Sequence, residues 1–257
     1  MKRTRAIPVL LLSGAGMVKG KAFARPRYLG DPINAVKIFN EKMADELVLL
    51  DIDATARGSV LFDWIEDIVS EAFMPIAYGG GLTSMAQCAE LFSRGVEKVV
   101  INSAAIEHPA LISEVAGRYG AQAVVVSIDA KRNLFGRWKA YARRGRKQSR
   151  FSPVELAQAC EQLGCGEIFL TSIAREGSFA GYDLDLIRAV SSAVGIPVVA
   201  HGGAGAIAHF AEAVNQGGAS AVAAGSMFVF AGKDQGMLIS YPGQAELAEQ
   251  FWGLTPQ

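Results

Sequence analysis

A single acidic residue, Asp129, directly follows the apolar run at residues 123–128, which contains no charged side chain. A carboxyl group at such a strand end can act as a general acid or base, a role worth about 10²–10⁴ in rate. An internal repeat, described below, pairs position 129 with position 11, where the residue is leucine. A site that used two opposed carboxylates would carry Asp at both positions. The sequence therefore predicts one candidate catalytic carboxylate, Asp129, that faces an aliphatic wall at Leu11.

Two glycine-rich clusters recur in the two halves of the chain, each with a small polar residue at the predicted start of a helix. Glycine lets backbone N–H groups approach an anion, and a helix N-terminus favours negative charge. Two clusters at matched positions favour a ligand with phosphate at both ends, whereas the simpler interpretation is that the glycines only make tight turns. The clusters are Gly80-Gly81 with Asn102-Ser103, and Gly202-Gly203 with Gly225-Ser226.

Four charged residues directly precede apolar runs at the other ends of the predicted strands. If their side chains point inward at one level, they form a ring; if they point outward, they are solvated strand starts. Burying charges costs several kcal/mol per ion before pairing, so stability alone is a poor reason to keep a ring. Spacing leaves both interpretations open. The four residues are Arg5, Glu46, Lys98 and Glu167.

Short runs that are apolar on both faces alternate with amphipathic segments of helical length, as in parallel strands covered by helices. Eight such alternations in 257 residues predict a (β/α)8 TIM barrel of the α/β class, whose site lies at the C-terminal strand ends. A doubly wound sheet is the alternative, but it usually needs fewer strands. The predicted strands are residues 7–12, 47–52, 75–78, 99–102, 123–128, 168–173, 197–200 and 221–224, and the predicted helices are residues 33–42, 61–71, 85–94, 109–119, 153–163, 184–194 and 208–216.

A half-length repeat supports the barrel. Residues 46–52 resemble residues 167–173, and residues 77–81 resemble residues 200–204, at offsets of 121 and 123 residues. Two half-barrels explain this repeat. Two domains would also produce it, but no linker rich in Pro or Ser interrupts the middle, so we expect one domain over residues 1–257.

Composition narrows the function classes. The 25 Lys and Arg balance 25 Asp and Glu, and 51% of the chain is apolar, which excludes a disordered chain and gives no reason to expect nucleic-acid or membrane partners. The three cysteines are interpreted as reduced thiols. The N-terminal apolar run is too short for a convincing signal peptide, and no stretch reaches the ~20 residues of a membrane span. The sequence therefore predicts a cytoplasmic protein without a metal or other cofactor.

One segment concentrates positive charge: residues 131–150 hold nine Lys or Arg and no acidic residue. Its alternating pattern, with a turn near Arg144-Gly145, predicts a β-hairpin insertion. The insertion is either a solvated surface feature or a docking site near the barrel mouth for an anionic nucleotide sugar or an acidic protein.

Over nearly its whole length the sequence resembles the cyclase subunit of imidazole glycerol phosphate synthase. The resemblance implies a (β/α)8 barrel that binds a phosphorylated small molecule at two phosphate sites and docks a glutaminase on its N-terminal face. It also implies that ammonia crosses the barrel through a gate formed by the four charged residues. The matching segments include Val18-Lys19-Gly20, Asp45-Glu46-Leu47, Leu50-Asp51-Ile52, Gly79-Gly80-Gly81, Ile101-Asn102-Ser103, Ile128-Asp129-Ala130, Gly166-Glu167-Ile168 and Gly202-Gly203-Ala204.

The resemblance also assigns ligand contacts at the mouth. Lys19 is expected in a flexible loop after the first strand, where a cation could close over a phosphate; a solvated loop lysine is the alternative. His201 is either a ligand contact or a polar filler. The remaining candidate contacts are Asp51, Thr171 and Gly177.

One departure from that family matters most. The cyclase family uses two aspartates as general acid and base, and Leu11 replaces one of them, so cyclisation should be crippled. Smaller departures are Gly14-Ala15-Gly16 in place of a charged loop, Glu176 in place of Asp, and His201 in place of a small residue.

A closer resemblance is to cyclase-like paralogues of sugar acetamidino-modification systems, which serve surface polysaccharide (O-antigen) synthesis. It implies that the chain passes ammonia to a separate sugar amidotransferase, which converts an acetamido group on a nucleotide sugar into an acetamidino group. The alternatives are a genuine cyclase (lyase) of histidine biosynthesis and a non-catalytic scaffold that activates a glutaminase. The segments that carry this resemblance are residues 30–42, 133–136, 225–230 and 238–242.

Overall fold

Strands and helices alternate along the chain in the computed structural model, which describes residues 3–231 and 236–253. In chain order the elements are β1 (Arg5–Ser13), β2 (Gly16–Lys21), β3 (Ala24–Gly30), α1 (Pro32–Glu41), β4 (Leu47–Asp51), α2 (Ala54–Arg57), α3 (Phe62–Ser70), β5 (Ile76–Gly79), α4 (Met85–Ser93), β6 (Lys98–Ile101), α5 (Ser103–Glu107), α6 (Ala110–Tyr119), a 3-10 turn (Ala121–Ala123), β7 (Val124–Arg132), β8 (Trp138–Ala142), β9 (Lys147–Gln148), α7 (Pro153–Gln162), β10 (Glu167–Ser172), α8 (Leu184–Ser191), β11 (Val198–His201), α9 (Ile207–Asn215), β12 (Ala221–Ala224), α10 (Ser226–Val229), β13 (Phe230–Ala231), β14 (Gly236–Met237) and α11 (Gln244–Gln250).

Eight of these strands pair in parallel and close into a barrel. The order around the barrel is β1, β4, β5, β6, β7, β10, β11 and β12, and β12 pairs again with β1. Helices lie between successive strands along the chain. This arrangement confirms the predicted (β/α)8 barrel and excludes the doubly wound sheet, whose edge strands stay open.

Side chains alternate between the barrel interior and the surrounding helices, because successive residues of a strand point to opposite faces. The interior holds small and β-branched side chains around one aromatic ring, whereas a larger apolar cluster fills the space between strands and helices. The interior residues are Ile7, Val9, Val48, Ala77, Val100, Val125, Phe169, Val199, Ala221 and Ala223, with Leu11 and Leu50 packed against them.

The predicted pairing of residues 77–81 with residues 200–204 is displaced by one residue. Ala77 packs inside the barrel, but Ala200 packs outside it. A shift of one residue moves a side chain to the other face of a strand. The residue that matches Ala77 is therefore Val199, which also lies inside the barrel. Both strands end in glycine-rich turns, so identical residue types also match in the register that is displaced by one residue.

Local sequence explains where several helices begin. The Asp31 carboxylate accepts a hydrogen bond from the Ile33 N–H at 2.9 Å and caps α1. Ser84 and Ser152 each form a capping box, with Gln87 and Glu155 respectively. In residues 3–231 and 236–253, no helix combines the length and the apolar character that crossing a membrane requires.

Two antiparallel hairpins rise from the C-terminal ends of barrel strands. The first consists of β2 and β3, with β2 pairing back onto the end of β1. The second forms because β7 continues past Asp129 and pairs with β8, which in turn pairs with β9. Lys19 thus lies in strand β2 and is buried. Its predicted location in a flexible loop is wrong, because pairing with β1 and β3 orders this segment.

We expect Phe169→Ala to lower the free energy of unfolding by about 3–5 kcal/mol, because the substitution leaves a cavity in the barrel interior. The Phe169 side chain is 1% exposed, whereas that of the control residue Phe73 is 89% exposed. Phe73→Ala should therefore cost little. Denaturant unfolding followed by circular dichroism measures both, and an equal loss in the two variants would contradict the role assigned to Phe169.

Candidate functional site

A cavity of about 440 Å³ opens at the C-terminal end of the barrel. Its floor contains Leu11, Leu50 and Val100, which also contact or belong to the apolar interior. The hairpins contribute Phe23 and Arg144 to its rim. The predicted site residues that line the cavity are Asp51, Gly80, Gly81, Asn102, Ser103, Asp129, Thr171 and His201.

Asp129 projects into this cavity from β7, and Leu11 lines the same cavity from β1. The Asp129 carboxyl is almost fully buried, and burial raises its pKa to about 7, although a hydrogen bond with Ser127 opposes the shift. A carboxyl with this pKa can accept or donate a proton near neutral pH. The wall at position 11 is aliphatic, so it offers no second carboxyl to complete an acid–base pair.

His201, at the end of β11, is buried beside Thr171 and Phe169. Its Nδ1 lies 3.1 Å from the Thr171 hydroxyl oxygen, and its ring packs against Phe169 with centroids 5.0 Å apart. Burial, together with the positive charge of Lys19, lowers the pKa of His201 to about 3. The imidazole is therefore neutral at physiological pH and can hydrogen bond a ligand without adding charge.

The glycine cluster after β5 and β6 opens onto the cavity. A Cβ atom at Gly80 would lie 2.4 Å from the Asp51 carbonyl oxygen, so only glycine fits this close approach. The Asn102 side-chain amide donates to the Ser127 carbonyl at 2.9 Å, and the Ser103 hydroxyl accepts from the Arg143 N–H at 3.1 Å. Backbone and hydroxyl groups thus surround a space in which an anion could bind.

Arg57 belongs to this side of the site, although sequence patterns alone did not point to it. Its guanidinium donates to the Asp51 carboxylate at 2.5 Å. Asp51 also accepts hydrogen bonds from the Asp53 and Ala54 N–H groups at 3.0 Å each. Three hydrogen bonds thus hold the Asp51 carboxylate at the β4–α2 turn. The short sequence spacing between Asp51, at the strand end, and Arg57 is compatible with an ion pair. Many oppositely charged surface residues have the same spacing, so it does not single this pair out.

The second glycine cluster, after β11 and β12, does not line the cavity. Lys19 forms a buried ion pair with Glu176. A Cβ atom at Gly225 would lie 2.7 Å from the Lys19 Nζ, so the ammonium group rests against the backbone at Gly225. Gly177 packs against the Gly20 carbonyl of the β2–β3 hairpin with a left-handed φ of +70°.

The three remaining residues of this cluster are also enclosed. Gly202 and Gly203 approach the Ser172 and Gly181 carbonyl groups so closely that a Cβ atom at either would lie within 2.8 Å of them. The buried Ser226 hydroxyl has no hydrogen-bond partner among the described residues. The two clusters therefore differ: one opens onto the cavity, while the other is covered by Lys19 and Glu176.

The four charged residues at the N-terminal barrel end form a closed ring of alternating charge. Arg5 forms ion pairs with Glu46 and Glu167, and the Lys98 Nζ lies 2.9 Å from Glu46 and 3.1 Å from Glu167. Burial alone would lower the pKa of Arg5, but Glu167 and Glu46 offset this and raise it. The side chains therefore meet one another across the barrel rather than extending into solvent.

Part of the basic segment is neutralised by contacts with the barrel. Arg143 and Lys147 both pair with Glu107, at 3.1 and 2.8 Å, and hydrogen bonds from these two side chains lower the pKa of Glu107 to about 2. Arg144 lies 3.2 Å from Asp53. These pairs attach the β8–β9 turn to the rim of the cavity. Within residues 3–231 and 236–253, no group of three or more His, Cys, Asp or Glu is placed to hold a metal ion.

Known proteins are similar to this chain over nearly its whole length. A family model described as "Histidine biosynthesis protein" matches residues 5–234. A Pseudomonas aeruginosa protein named "Putative imidazole glycerol phosphate synthase subunit hisF2" is 47% identical over 94% of this chain and 97% of its own length. A Vibrio vulnificus protein named "Putative imidazole glycerol phosphate synthase subunit hisF3" is 43% identical over 96% of this chain and 95% of its own length. A Leptospira borgpetersenii protein named "Putative imidazole glycerol phosphate synthase subunit HisF" is 43% identical over 98% of this chain and 100% of its own length.

We expect Asp129→Asn to stabilise the protein above pH 7. The pKa of Asp129 is about 7 in the folded protein and about 3.9 when unfolded. The folded state therefore binds more protons between these values, and stability falls as the pH rises through this window. Asparagine avoids the loss, which amounts to about 4 kcal/mol at most.

Thermal unfolding of both proteins from pH 4 to pH 8 measures this difference. The control is Asp67→Asn, at an exposed position on α3. A stability difference between wild type and Asp129→Asn that does not change with pH would contradict the assigned environment of Asp129.

Proposed function

Since the chain belongs to the histidine biosynthesis protein family, we propose that it is the cyclase-like barrel subunit of a glutamine-dependent amidotransferase complex. In this proposal a partner glutaminase releases ammonia at the N-terminal barrel face, and the barrel conducts it to the C-terminal mouth. One observation carries the proposal: the charged ring at one end is complete, while the mouth has Asp129 opposite Leu11 instead of a second carboxyl. The chain has the charged ring that the proposed conduction requires, and it lacks the second carboxyl, at position 11, that cyclisation requires.

The final acceptor in the proposed reaction is a nucleotide sugar. A separate amidotransferase uses the ammonia to convert an acetamido group of that sugar into an acetamidino group, during surface polysaccharide synthesis. The support for this finer assignment is the sequence resemblance to the cyclase-like paralogues of such systems, together with Leu11.

The N-terminal face offers an exposed apolar surface for the glutaminase. Met43 lies in the loop before β4 and is 65% exposed, and Phe73 lies in the loop before β5 and is 89% exposed. Both loops open on the barrel end that carries the charged ring. The backbone at Phe73 is held by a hydrogen bond from its N–H to the Asn40 side chain at 2.9 Å. A rigid loop that presents a large ring suits a partner surface.

The barrel interior suits neutral ammonia better than ammonium. Above the ring, apolar side chains line the interior, among them Val48, Ala77 and Ala223, up to the cavity floor at Leu11. An ion would lose its hydration there without a partner, at a cost that a neutral molecule avoids. In the proposal the ring of Arg5, Glu46, Lys98 and Glu167 is the gate, because its ion pairs must separate before a molecule can enter.

The mouth would also bind a phosphorylated small molecule. The proposed contacts on the open side are Gly80, Gly81, Asn102 and Ser103, since these residues line the cavity. On the covered side, Lys19 would meet a phosphate only after leaving Glu176. The proposed contacts of that second phosphate are Gly177, Gly202, Gly203, Gly225 and Ser226.

The second candidate function is the cyclase reaction itself, which the names of the relatives favour: each contains imidazole glycerol phosphate synthase. We expect the wild-type chain, mixed with its glutaminase, glutamine and the histidine-pathway ribonucleotide substrate, to release glutamate with little imidazole product. Leu11→Asp should raise imidazole product formation at least about 10²-fold, because it supplies the missing acid–base group.

Absorbance of the imidazole product and enzymatic detection of glutamate measure the two reactions together. Leu11→Asn is the control, since its side chain is similar in shape to that of Asp but cannot ionise. Imidazole product formed by the wild-type chain at the rate of glutamate release would refute the ammonia-supply proposal and establish the cyclase.

Obstruction of the barrel interior should separate conduction from mere activation of the glutaminase. We expect Ala77→Leu to lower glutamine-dependent product formation about 10-fold or more, while glutaminase stimulation and the use of added ammonium salts remain. The reason is that a larger side chain fills the interior, at a tolerable overpacking cost of about 1–3 kcal/mol.

The matched control is Ala110→Leu, an equal enlargement at an exposed position of α6. The measurement is the ratio of acetamidino product to glutamate. An unchanged ratio in Ala77→Leu would favour a scaffold that only activates its glutaminase.

A further inference from the structure

The hairpin of β7 and β8 ends in a closed turn that exposes two large apolar side chains. The Asn133 side-chain oxygen accepts hydrogen bonds from the Phe135 and Arg137 N–H groups at 3.0 Å each. Gly136 completes the turn with a left-handed φ of +72°. Leu134 and Phe135 are 102% and 86% exposed. A single exposed apolar residue needs no explanation, but here a defined turn presents two neighbouring ones.

Basic side chains surround these two apolar residues and have no acidic partner within 4 Å in the described chain. This distinguishes them from Arg143, Arg144 and Lys147, whose charges are neutralised by Glu107 and Asp53. Among the described residues, the basic side chains of the insertion that form no ion pair are Arg146, Arg150 and the four at its outer end. We define the basic tip as Lys131, Arg132, Leu134, Phe135, Arg137 and Lys139.

The basic tip is not arranged for stability. Lys131 and Lys139 are direct cross-strand partners in the β7–β8 pairing. Like charges directly opposite each other destabilise a strand pair. The Lys139 ammonium donates a hydrogen bond to the Arg150 carbonyl oxygen at 2.6 Å. A binding partner that supplied negative charge would relieve this repulsion.

The position of the basic tip also matters. The β7–β8 pairing begins at Asp129, which lines the cavity, and the tip lies at the other end of that pairing. It therefore projects from the C-terminal rim, at the barrel end opposite the charged ring. A protein bound to the tip would stand beside the mouth.

We propose that the basic tip is the docking surface for the ammonia-accepting amidotransferase, which meets it with an acidic surface that contains an apolar pocket. This inference rests on the proposed function. Charge complementarity fits the uncompensated lysines and arginines, and an apolar pocket fits Leu134 and Phe135. Docking here brings the acceptor enzyme to the side of the barrel where ammonia emerges.

The test measures binding of the purified amidotransferase that completes the reaction to the complex of this chain and its glutaminase. We expect the double variant Lys131→Glu/Phe135→Ser to raise the dissociation constant about 10-fold or more. The dependence of the dissociation constant on salt concentration should also become smaller. Glutamine-dependent amidation should fall in parallel. Glutaminase stimulation and amidation from added ammonium salts should stay at wild-type levels.

Two controls accompany this variant. Arg118→Glu reverses an exposed charge on α6, away from the tip, and should leave binding unchanged. Phe73→Ser should weaken binding of the glutaminase instead of the acceptor enzyme, so the two aromatic substitutions should have opposite partner selectivity. Matching thermal unfolding temperatures verify that each variant is folded.

The possible outcomes separate the two proposals. If the wild-type complex binds the acceptor enzyme and supports amidation, and Lys131→Glu/Phe135→Ser does both equally well, the docking surface is refuted while the proposed function stands. If the wild-type complex does neither, both proposals fail. A third outcome concerns membranes. If the wild-type complex sediments with phosphatidylglycerol vesicles and the double variant does not, while both bind the acceptor enzyme equally well, the tip binds an anionic membrane and the proposal is overturned.

Discussion

The two-residue alternation of side chains along closed, parallel strands is the constraint on which the site depends. It sets which residues share a level inside the barrel. At one end Arg5, Glu46, Lys98 and Glu167 meet in a ring. Apolar side chains fill the middle, and Asp129 faces the mouth. Moving any of these strands by one residue would exchange the interior side chains for those that pack on helices. The strand register that closes the barrel therefore also determines which side chains lie at its two ends.

Charged groups of different kinds lie at different levels along the barrel axis, although the chain as a whole has equal numbers of basic and acidic residues. The ring compensates its own charges, and the buried Lys19–Glu176 pair compensates itself near the mouth. The outer end of the β7–β8 hairpin carries four basic side chains that form no ion pair with the described residues. An ion pair that is satisfied within the chain holds structure, whereas a charge without a partner is free to attract one. This difference separates the groups that position the site from those that can bind another molecule.

The sequence predicted the barrel well, because eight apolar runs with helices between them are repeated local signals. It also selected the ring residues and Asp129, since each stands at a definite place relative to its strand. Lys19 was misplaced, because hairpin pairing depends on β1 and β3 and leaves no local signal in the glycine-rich segment around it. The pairing of Arg57 with Asp51 and the closure of the second glycine cluster were not predictable either. Both arise from contacts between segments that only the folded backbone brings together.

The pKa values at the mouth have a consequence for the proposed route of ammonia. A molecule that passes Leu11 enters a cavity whose titratable side chains include His201 and Asp129. The imidazole, with a pKa of about 3, carries no extra proton at physiological pH, and the carboxyl, with a pKa of about 7, has largely released its own in mildly alkaline solution. In mildly alkaline solution, neither of these two side chains therefore readily donates a proton to ammonia. In the proposed route, ammonia that passes them keeps its lone pair, the electrons with which it attacks a carbon atom.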